Sequence, residues 1–386
     1  MNARALSRSD RSALGTWFWT IDHVLLALVL VLIGIGLIAV AAASPAAAHR
    51  FSGGHVHVAP LHFFWRQLMW VAIGLPVMVA TSLLTPTQVR RIGVIGTPIG
   101  AGLLLLVLAI GTSVHGGQRW LALGPVQLQP SEFLKPLFII ATASLLALRF
   151  EDERLPALTL SFATLVCVVA LLVAQPDMGQ TILFCAVWLV MAFLAGMRPI
   201  VAGIAAGAGA AGLGLAYMLG GHVRTRIDGF LKGTGDHYQV QNALDCFRAG
   251  GLFGVGPGQG VMKMRLPEPH TDYIFSVIGE EFGAVACIAI ALLFAAVVVR
   301  ALSRLTDEDD PFVLLAAAGL TTQFGLQAAI NMGVNLHVLP SKGMTLPFIS
   351  HGGSSFVALC AGMGLLLALL RRNPYAKASP YKWAAA

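Results

Sequence analysis

Charge is what this sequence has least of. Of its 386 residues, 11% are Asp, Glu, Lys or Arg, where a water-soluble domain carries about a quarter. So few polar groups cannot cover a globule in water, and the bilayer becomes the solvent for most of the surface. Only helices or a closed barrel satisfy the backbone in that medium. The apolar runs are continuous and about twenty residues long, without the alternation of a barrel strand, which leaves helices. Acid is scarcer than base: 18 Asp and Glu stand against 25 Lys and Arg, a net charge of +7. The basic residues sit mostly at the ends of apolar runs, as topology signals do, so the excess argues for no nucleic-acid partner. Cysteine is sparse as well, with five residues. Cys167, Cys185, Cys287 and Cys360 lie inside apolar runs and Cys246 is alone in a loop, so neither a disulfide framework nor a zinc site is indicated. No fixed-period repeat is visible, which withholds support from the inverted repeats of many transporters.

What is present is an all-α polytopic membrane pattern. Ten apolar segments fall near 20–43, 62–84, 92–112, 132–149, 157–175, 178–197, 199–220, 273–299, 312–333 and 353–370. The first follows Arg4, Arg8 and Arg11 and ends in small residues, like a cleavable leader. It is too long for one and is expected to be a retained span. Arg90, Arg91, Arg149, Arg154, Arg198, Arg300, Arg304, Arg371 and Arg372 share one set of loops, which is therefore cytoplasmic. The expected organisation is a cytoplasmic tail 1–19, a transmembrane domain 20–370 with a long extracytoplasmic loop 221–272, and a cytoplasmic tail 371–386. The acidic run Asp307 to Asp310 reads as a solvated turn. Gly203 and Gly207 read as a helix-packing stripe.

The unusual chemistry gathers in four segments assigned to the outer face: 115–136, 175–179, 221–281 and 331–355. Asp272 stands where the long loop enters a span. It suits either a helix N-cap, with Tyr273 opening the helix, or a partly desolvated general base beside His270. Glu280 and Glu281 lie inside an apolar run and are expected to pair with Arg or with backbone. Ser131 reads as an N-cap, and Glu132 and Lys135 at i, i+3 can pair. That pair either anchors a span or leaves Lys135, with Arg119, to bind phosphates of an anionic lipid-linked substrate. Asp177 is a cap or a cavity acid, and Asp22 and His23 are boundary residues. His49, His55, His57 and His62 are weak evidence for metal. Segment 238–249 reads as an amphipathic helix on the membrane surface. The GGLFGVGPGQG that follows is either an anion cradle of backbone amides or a flexible turn.

The blocks QRWLALGPVQLQPSEFLK, QPDMG, the YQ…GG loop, LPEPHTDYIF…GEEFG and LPSKGMTLPFISHGGSS together resemble, in order, the hallmark blocks of the SEDS family (shape, elongation, division, sporulation). The resemblance covers about residues 20 to 370, and NMGVNLHVLPSKGMTLPFIS is closer to the division type than to the elongation type. It implies a peptidoglycan glycosyltransferase of the bacterial inner membrane, placed at the division septum. Such a protein polymerises lipid II, the undecaprenyl-pyrophosphoryl disaccharide-pentapeptide, beside a class B penicillin-binding protein and other division-complex membrane proteins. Asp272 then corresponds to the essential carboxylate, Glu132, Lys135 and Asp177 to polar cavity residues, and Arg119 to the QRW block. Arg119, Lys135 and Lys342 are the cations for a leaving pyrophosphate. A divalent cation, magnesium or manganese, is a further expectation for which the sequence has no ligand motif. Departures from the family are Gln180 for Thr, Tyr273 for Phe, His337 for Gly and His351 for Tyr. The rival readings are a lipid II flippase and a non-catalytic division scaffold.

Overall fold

The computed structural model describes residues 12–52, 57–114, 117–124, 126–152, 154–218, 224, 228, 237–340 and 343–372. Arg4, Arg8, Arg11, His55, Lys342 and most of 219–236 lie outside the described residues, as does the tail beyond Arg372. A short helix α1 (Ala13–Thr20) leads into α2 (His23–Phe51), α3 (His62–Ser82) and α4 (Pro86–Ile110). Then come α5 (Pro130–Glu151), α6 (Ala157–Ala174), α7 (Met178–Leu194), α8 (Pro199–Met218) and α9 (His237–Gly250). The chain ends with α10 (Ile274–Ser303), α11 (Pro311–Asn335) and α12 (Ser354–Leu369). Each of the ten expected apolar segments lies on one of these helices. Seven (α2 to α6, α10 and α11) are long and apolar enough to cross a membrane, and α7, α8 and α12 are shorter apolar helices.

Local chemistry explains several boundaries. Asp22 caps α2 by accepting from the Leu25 amide at 3.0 Å, and Thr85 with Gln88 forms a capping box at α4, with Pro86 in the first turn. Asp310 accepts from the amides of Phe312 and Val313, so one member of the acidic turn has a defined task. The small residues that look like a cleavage site are helical, and α2 runs through Pro45 to Phe51. The outer segment after α4 is not plain loop. It folds as a three-stranded antiparallel sheet of β1 (Thr112–Val114), β2 (Gly117–Leu123) and β3 (Val126–Leu128). Thr112 pairs with Trp120 and Leu121 with Leu128.

Burial identifies the centre. In the apolar windows of α5 and α11, 67% of the residues are inside the protein, against 28% for α4, α6 and α10. The last three therefore present most of their surface to lipid. At the end assigned to the cytoplasm, Asp22 is buried and accepts from both Arg300 and Arg304. Arg372 donates to the Arg304 carbonyl and, through its backbone, to Thr20. Asp22 is thus more than a boundary residue: it ties the start of α2 to the end of α10.

Helix α9 does not float on the membrane. Ala243 and Cys246 are fully buried against Leu266, Tyr273 and Val277, and the Phe247 ring packs 5.8 Å from that of Phe275. Beyond α9 the glycine-rich segment is threaded into a break in α10. Gly283 has φ 81° and ψ 178°, which interrupts the i to i−4 ladder. The Ala284 and Val285 amides donate instead to the carbonyls of Gly251 and Leu252 at 2.9 and 3.2 Å. The freed carbonyls of Glu280 and Glu281 accept from Val255 and Gly256 at 2.9 and 3.0 Å. The loop thus replaces four lost helical partners. The anion held nearby is the chain's own: just beyond the segment, the Met262 and Lys263 amides donate to the Glu280 carboxylate at 2.6 and 2.7 Å, so the glycine-rich stretch itself is not the cradle. Glu281 pairs with the Lys263 ammonium, which also donates to the Ala42 carbonyl. Glu280 therefore pairs with backbone as expected, whereas the partner of Glu281 is a lysine rather than an arginine.

Two glycines of this loop separate strain from collision. Gly254 and Gly258 both have positive φ, but a Cβ on Gly254 would stand 2.2 Å from the Glu281 carbonyl oxygen, whereas one on Gly258 meets nothing within 4 Å. Positive φ alone costs a non-glycine residue about 1–3 kcal/mol. Gly254→Ala should therefore lower Tm clearly more than Gly258→Ala, measured by thermal unfolding of the detergent-purified protein. Equal losses would contradict the threaded arrangement.

Candidate functional site

The site is built on α5 and α11, the two most enclosed of the seven long apolar helices. Pro130 opens α5 at its first position, with Gln129 rather than Ser131 at the cap. Glu132 lies in the first turn, where the helix dipole favours an acid. Lys135 is one turn on, and its ammonium is 2.7 Å from the Glu132 carboxylate. Both side chains are almost fully enclosed, at 2% and 5% exposure, so this pair is satisfied internally. A phosphate could reach Lys135 only by displacing a partner.

Helix α11 carries a polar column at four-residue spacing, Gln323, Gln327, Asn331 and Asn335, all buried. Such spacing places all four on one face. Gln327 accepts from Lys135 at 3.0 Å and donates to the Thr345 carbonyl at 3.1 Å. The Asn331 amide donates to the carbonyls of Met344 at 2.6 Å and Asp272 at 3.0 Å. The Asn335 amide donates to the same Asp272 carbonyl at 2.9 Å, and its oxygen accepts from the Ser276 amide and hydroxyl. Two amides thus hold one carbonyl, that of the predicted base. Asp272 is not the helix cap; Tyr273 holds that position. Its carboxylate lies beside Gly343, where a Cβ would stand 3.2 Å from Oδ2. The loop bearing Gly343 is itself seated on α2, where a Cβ at Gly36 would come within 2.3 Å of the Phe348 carbonyl.

From Glu132 the seam continues the other way. Gln180 donates to Glu132 at 2.6 Å, and its backbone amide donates to Asp177, which caps α7. Arg119, on β2, lies 3.7 Å from the Asp177 carboxylate and donates to the carbonyls of Gln175 and Pro176. Burial raises the Asp177 carboxyl above the usual range, against the pull of Arg119. Arg119, Asp177, Glu132 and Lys135 therefore form one hydrogen-bonded seam, and Gln327 and Asn331 link it to the Asp272 loop. Beneath the Glu132–Lys135 pair, a small cavity of about 20 Å³ lies between α5, α11 and α12, lined by Gln323, Phe324, Leu359 and Met363 among others. Lys342 lies outside the described residues. Among the described residues no three His, Cys, Asp or Glu side chains gather as ion ligands. The described residues thus offer no protein-built cation site.

His270 belongs to a second cluster behind Asp272. Its ring lies 4.2 Å from that of Phe63 and 5.5 Å from that of His351. The His351 backbone donates to the His270 carbonyl at 2.8 Å, and the His351 Nδ1 is 3.0 Å from the side-chain Oε1 of Gln67. The Nδ1 of His270 is buried without a hydrogen-bond partner. Burial, reinforced by the Arg66 charge, pushes His270 down to about 4. Burial, then His270, Arg66 and His62, pushes His351 down to about 3. The His337 departure also has a local reading: its φ of 58° is a conformation that glycine adopts without strain.

Gln327, Asn331, Asn335 and Gln67 were not singled out from the sequence. The signal existed for three of them, an amide every four residues through an otherwise apolar helix.

Fold and site together define a polytopic helical membrane protein with a buried polar seam gathered at one end of the bundle. The FTSW_RODA_SPOVE family model, described as cell cycle protein, matches residues 22–375. The chain is 42% identical over 374 residues to the probable peptidoglycan glycosyltransferase FtsW of Caulobacter vibrioides, covering 96% of this chain and 94% of that one. It is 36% identical over 339 residues to the protein of the same description from Aromatoleum aromaticum, covering 83% and 80%. Among solved structures, it superimposes with a TM-score of 0.74 at 26% identity on a chain from the work "Structural coordination of polymerization and crosslinking by a peptidoglycan synthase complex", covering 91% of this chain and 97% of that one. The rod shape determining protein RodA of Thermus thermophilus gives a TM-score of 0.68 at 25% identity, covering 91% and 96%. The chain belongs to the FtsW/RodA/SpoVE family.

Two outcomes follow from this geometry. Glu132→Leu alone strands a buried ammonium, for which breaking a buried pair costs about 3–5 kcal/mol. The double variant Glu132→Leu, Lys135→Met removes both charges and should recover most of the lost Tm. No recovery would mean that the two residues do not act as one pair. The histidines set a pH dependence. Their folded values lie below the ordinary 6.5, so between about pH 6.5 and 4 the unfolded chain binds the extra protons. Stability is therefore full above that window and falls as pH drops through it, by up to about 1.4 kcal/mol per group for each pH unit. Tm measured from pH 7.5 to 5 should decline, and His351→Gln should flatten the decline.

Proposed function

We infer that this protein is a peptidoglycan glycosyltransferase that polymerises lipid II at the outer face of the bacterial inner membrane. The observation that carries this reading is the pinning of the Asp272 carbonyl by two buried amides of α11, which fixes a half-buried carboxylate beside the polar seam. Membership of the family, and relatives described as probable peptidoglycan glycosyltransferases, support it. At the other end of the bundle, Asp22 with Arg300 and Arg304 closes the helices together. A flippase would need polar groups serving both faces, so this closure favours a one-sided enzyme.

The reaction needs little apparatus. The acceptor sugar hydroxyl gives its proton to the Asp272 carboxylate, and its oxygen bonds to C1 of the donor sugar. The bond from C1 to the phosphate oxygen breaks, and the lipid pyrophosphate leaves with that electron pair. An α-linked donor yielding a β-linked product requires inversion, so one displacement suffices, whereas retention would require a second, nucleophilic carboxylate. A positioned base contributes about 10²–10⁴-fold. Asn331 and Asn335 act as positioning residues for that base. Of the two cations in the seam, Arg119 is the more accessible, at 19% side-chain exposure against 2% for Lys135. Lys342 and a divalent cation that travels with the pyrophosphate would add to it. A class B penicillin-binding protein is the proposed partner and the division septum the proposed site of action. The resemblance to the division type and the fold shared with a chain of a peptidoglycan synthase complex support both.

Purified protein given fluorescent lipid II, with and without a class B penicillin-binding protein, should produce a ladder of glycan strands. Asp272→Ala should produce none while keeping the wild-type Tm, and wild-type turnover in that variant would remove Asp272 as the base. Asn335→Leu should lower kcat by about 10²-fold, the cost of displacing a catalytic group by about 1 Å, with KM for lipid II little changed. A rise in KM at constant kcat would make Asn335 a binding residue instead.

A further inference from the structure

The loop threaded into the α10 break has an outward side that the transferase reading does not use. Leu252 and Phe253 are 66% and 81% exposed, and between Arg248 and Lys263 the sequence has no charged residue. An apolar turn this bare would be a liability in water. Its backbone, however, is unusually well supplied. Gly251 and Leu252 accept from α10, Val255 and Gly256 donate to it, and Gly254 donates to Gly250. Non-helical backbone is tolerated at membrane depth only where protein satisfies it, and here the broken helix does so.

The position along α10 supplies the occupant. Below the break, Val285, Ile288 and Leu292 are 51%, 60% and 65% exposed and recur at three- and four-residue spacing, a single apolar face. The uncharged run from Ala284 to Val299 is about 24 Å long at 1.5 Å per residue, most of the roughly 30 Å hydrocarbon thickness. The Gly283 break therefore sits at the upper edge of the lipid-facing run. Because Leu252 is hydrogen-bonded to Val285, the turn continues that face upward without a gap. Exposed Phe and Leu side chains at such an edge are of the kind that interfacial segments bury at the headgroup/acyl boundary.

We propose that the Leu252–Phe253 turn is a membrane anchor that seats these two side chains among the lipids of the outer leaflet. The anchor fixes the height of the loop that runs on through Lys263 to His270 and Asp272, so the candidate base is held at the level where a lipid-linked sugar emerges from the bilayer. This is a property of the free protein and does not depend on which reaction the site performs.

The test is nitroxide accessibility in the full chain. Phe253→Cys, Leu252→Cys and Gln259→Cys are made singly in a background carrying Cys167→Ala and Cys185→Ala, spin-labelled, and placed in phosphatidylethanolamine/phosphatidylglycerol nanodiscs without a partner. Power saturation then compares collisions with molecular oxygen, which concentrates in lipid, and with a water-soluble nickel chelate. The expected result is oxygen dominance at 252 and 253, by about threefold or more, and nickel dominance at 259, on the exposed part of the same loop. Nickel dominance at both 252 and 253 would overturn the proposal, because the turn would face water. Low collision rates with both reagents there would overturn it too, because the cover would then be protein. Should one labelled variant fail to fold, the other site and its contrast with 259 carry the same decision.

Discussion

A bilayer offers no hydrogen bonds, and every polar group that this chain carries into it must find a partner within the protein. The rest of the structure depends on that constraint. It explains why the α10 break at Gly283 is filled by a loop rather than left open, and why the Glu280 carboxylate is wrapped by two backbone amides. It also explains why Asp22 is met by two arginines. None of these arrangements is needed in water, where the solvent would supply the missing partners. In lipid each links distant parts of the chain, and the links give the helices their relative positions.

The same constraint makes the functional seam rigid. Glu132 and Lys135 pair with each other, Gln180 and Gln327 bond to them in turn, and Asp177 is held by Arg119 and its own helix. An isolated charge in this setting would be expensive, so the groups come as a connected set. The set ends at the Asp272 loop, whose backbone is anchored by the carbonyl of that residue. Stability and positioning share the same bonds here. A substitution in the seam therefore moves both, and readouts that separate Tm from kcat are needed to tell them apart.

The glycine-rich loop shows how an ambiguous sequence feature resolves. As a string, GGLFGVGPGQG fits a flexible turn or an anion cradle equally well. In the structure its backbone is pinned to α10, and the amides that hold the Glu280 carboxylate belong to Met262 and Lys263, just beyond it. The glycines at 250 and 254 are needed because the loop backbone touches the α10 backbone at those points. The long loop that leads to Asp272 is accordingly docked from His237 onward, in contrast to the mobility that its composition suggests.

The sequence by itself determined the solvent, the ten apolar segments and the gathering of Arg119, Asp177, Asp272 and their neighbours at one end. Each of these follows from composition, charge placement and order along the chain, which do not depend on folding. The pairing of Glu280 and Glu281 was legible for the same reason, since an acid in an apolar run must find a partner. The sheet at 112–128, the packing of α9 against α10 and the shift of the cap from Asp272 to Tyr273 were decided only by tertiary structure. So was the role of the column from Gln327 to Asn335, whose spacing was visible but whose partners, on loops 272 and 344 and on α5, were not. A hydrogen bond between residues 48 or 59 positions apart leaves no trace in local periodicity. Such bonds form the site, and only the packed helices bring their two ends together.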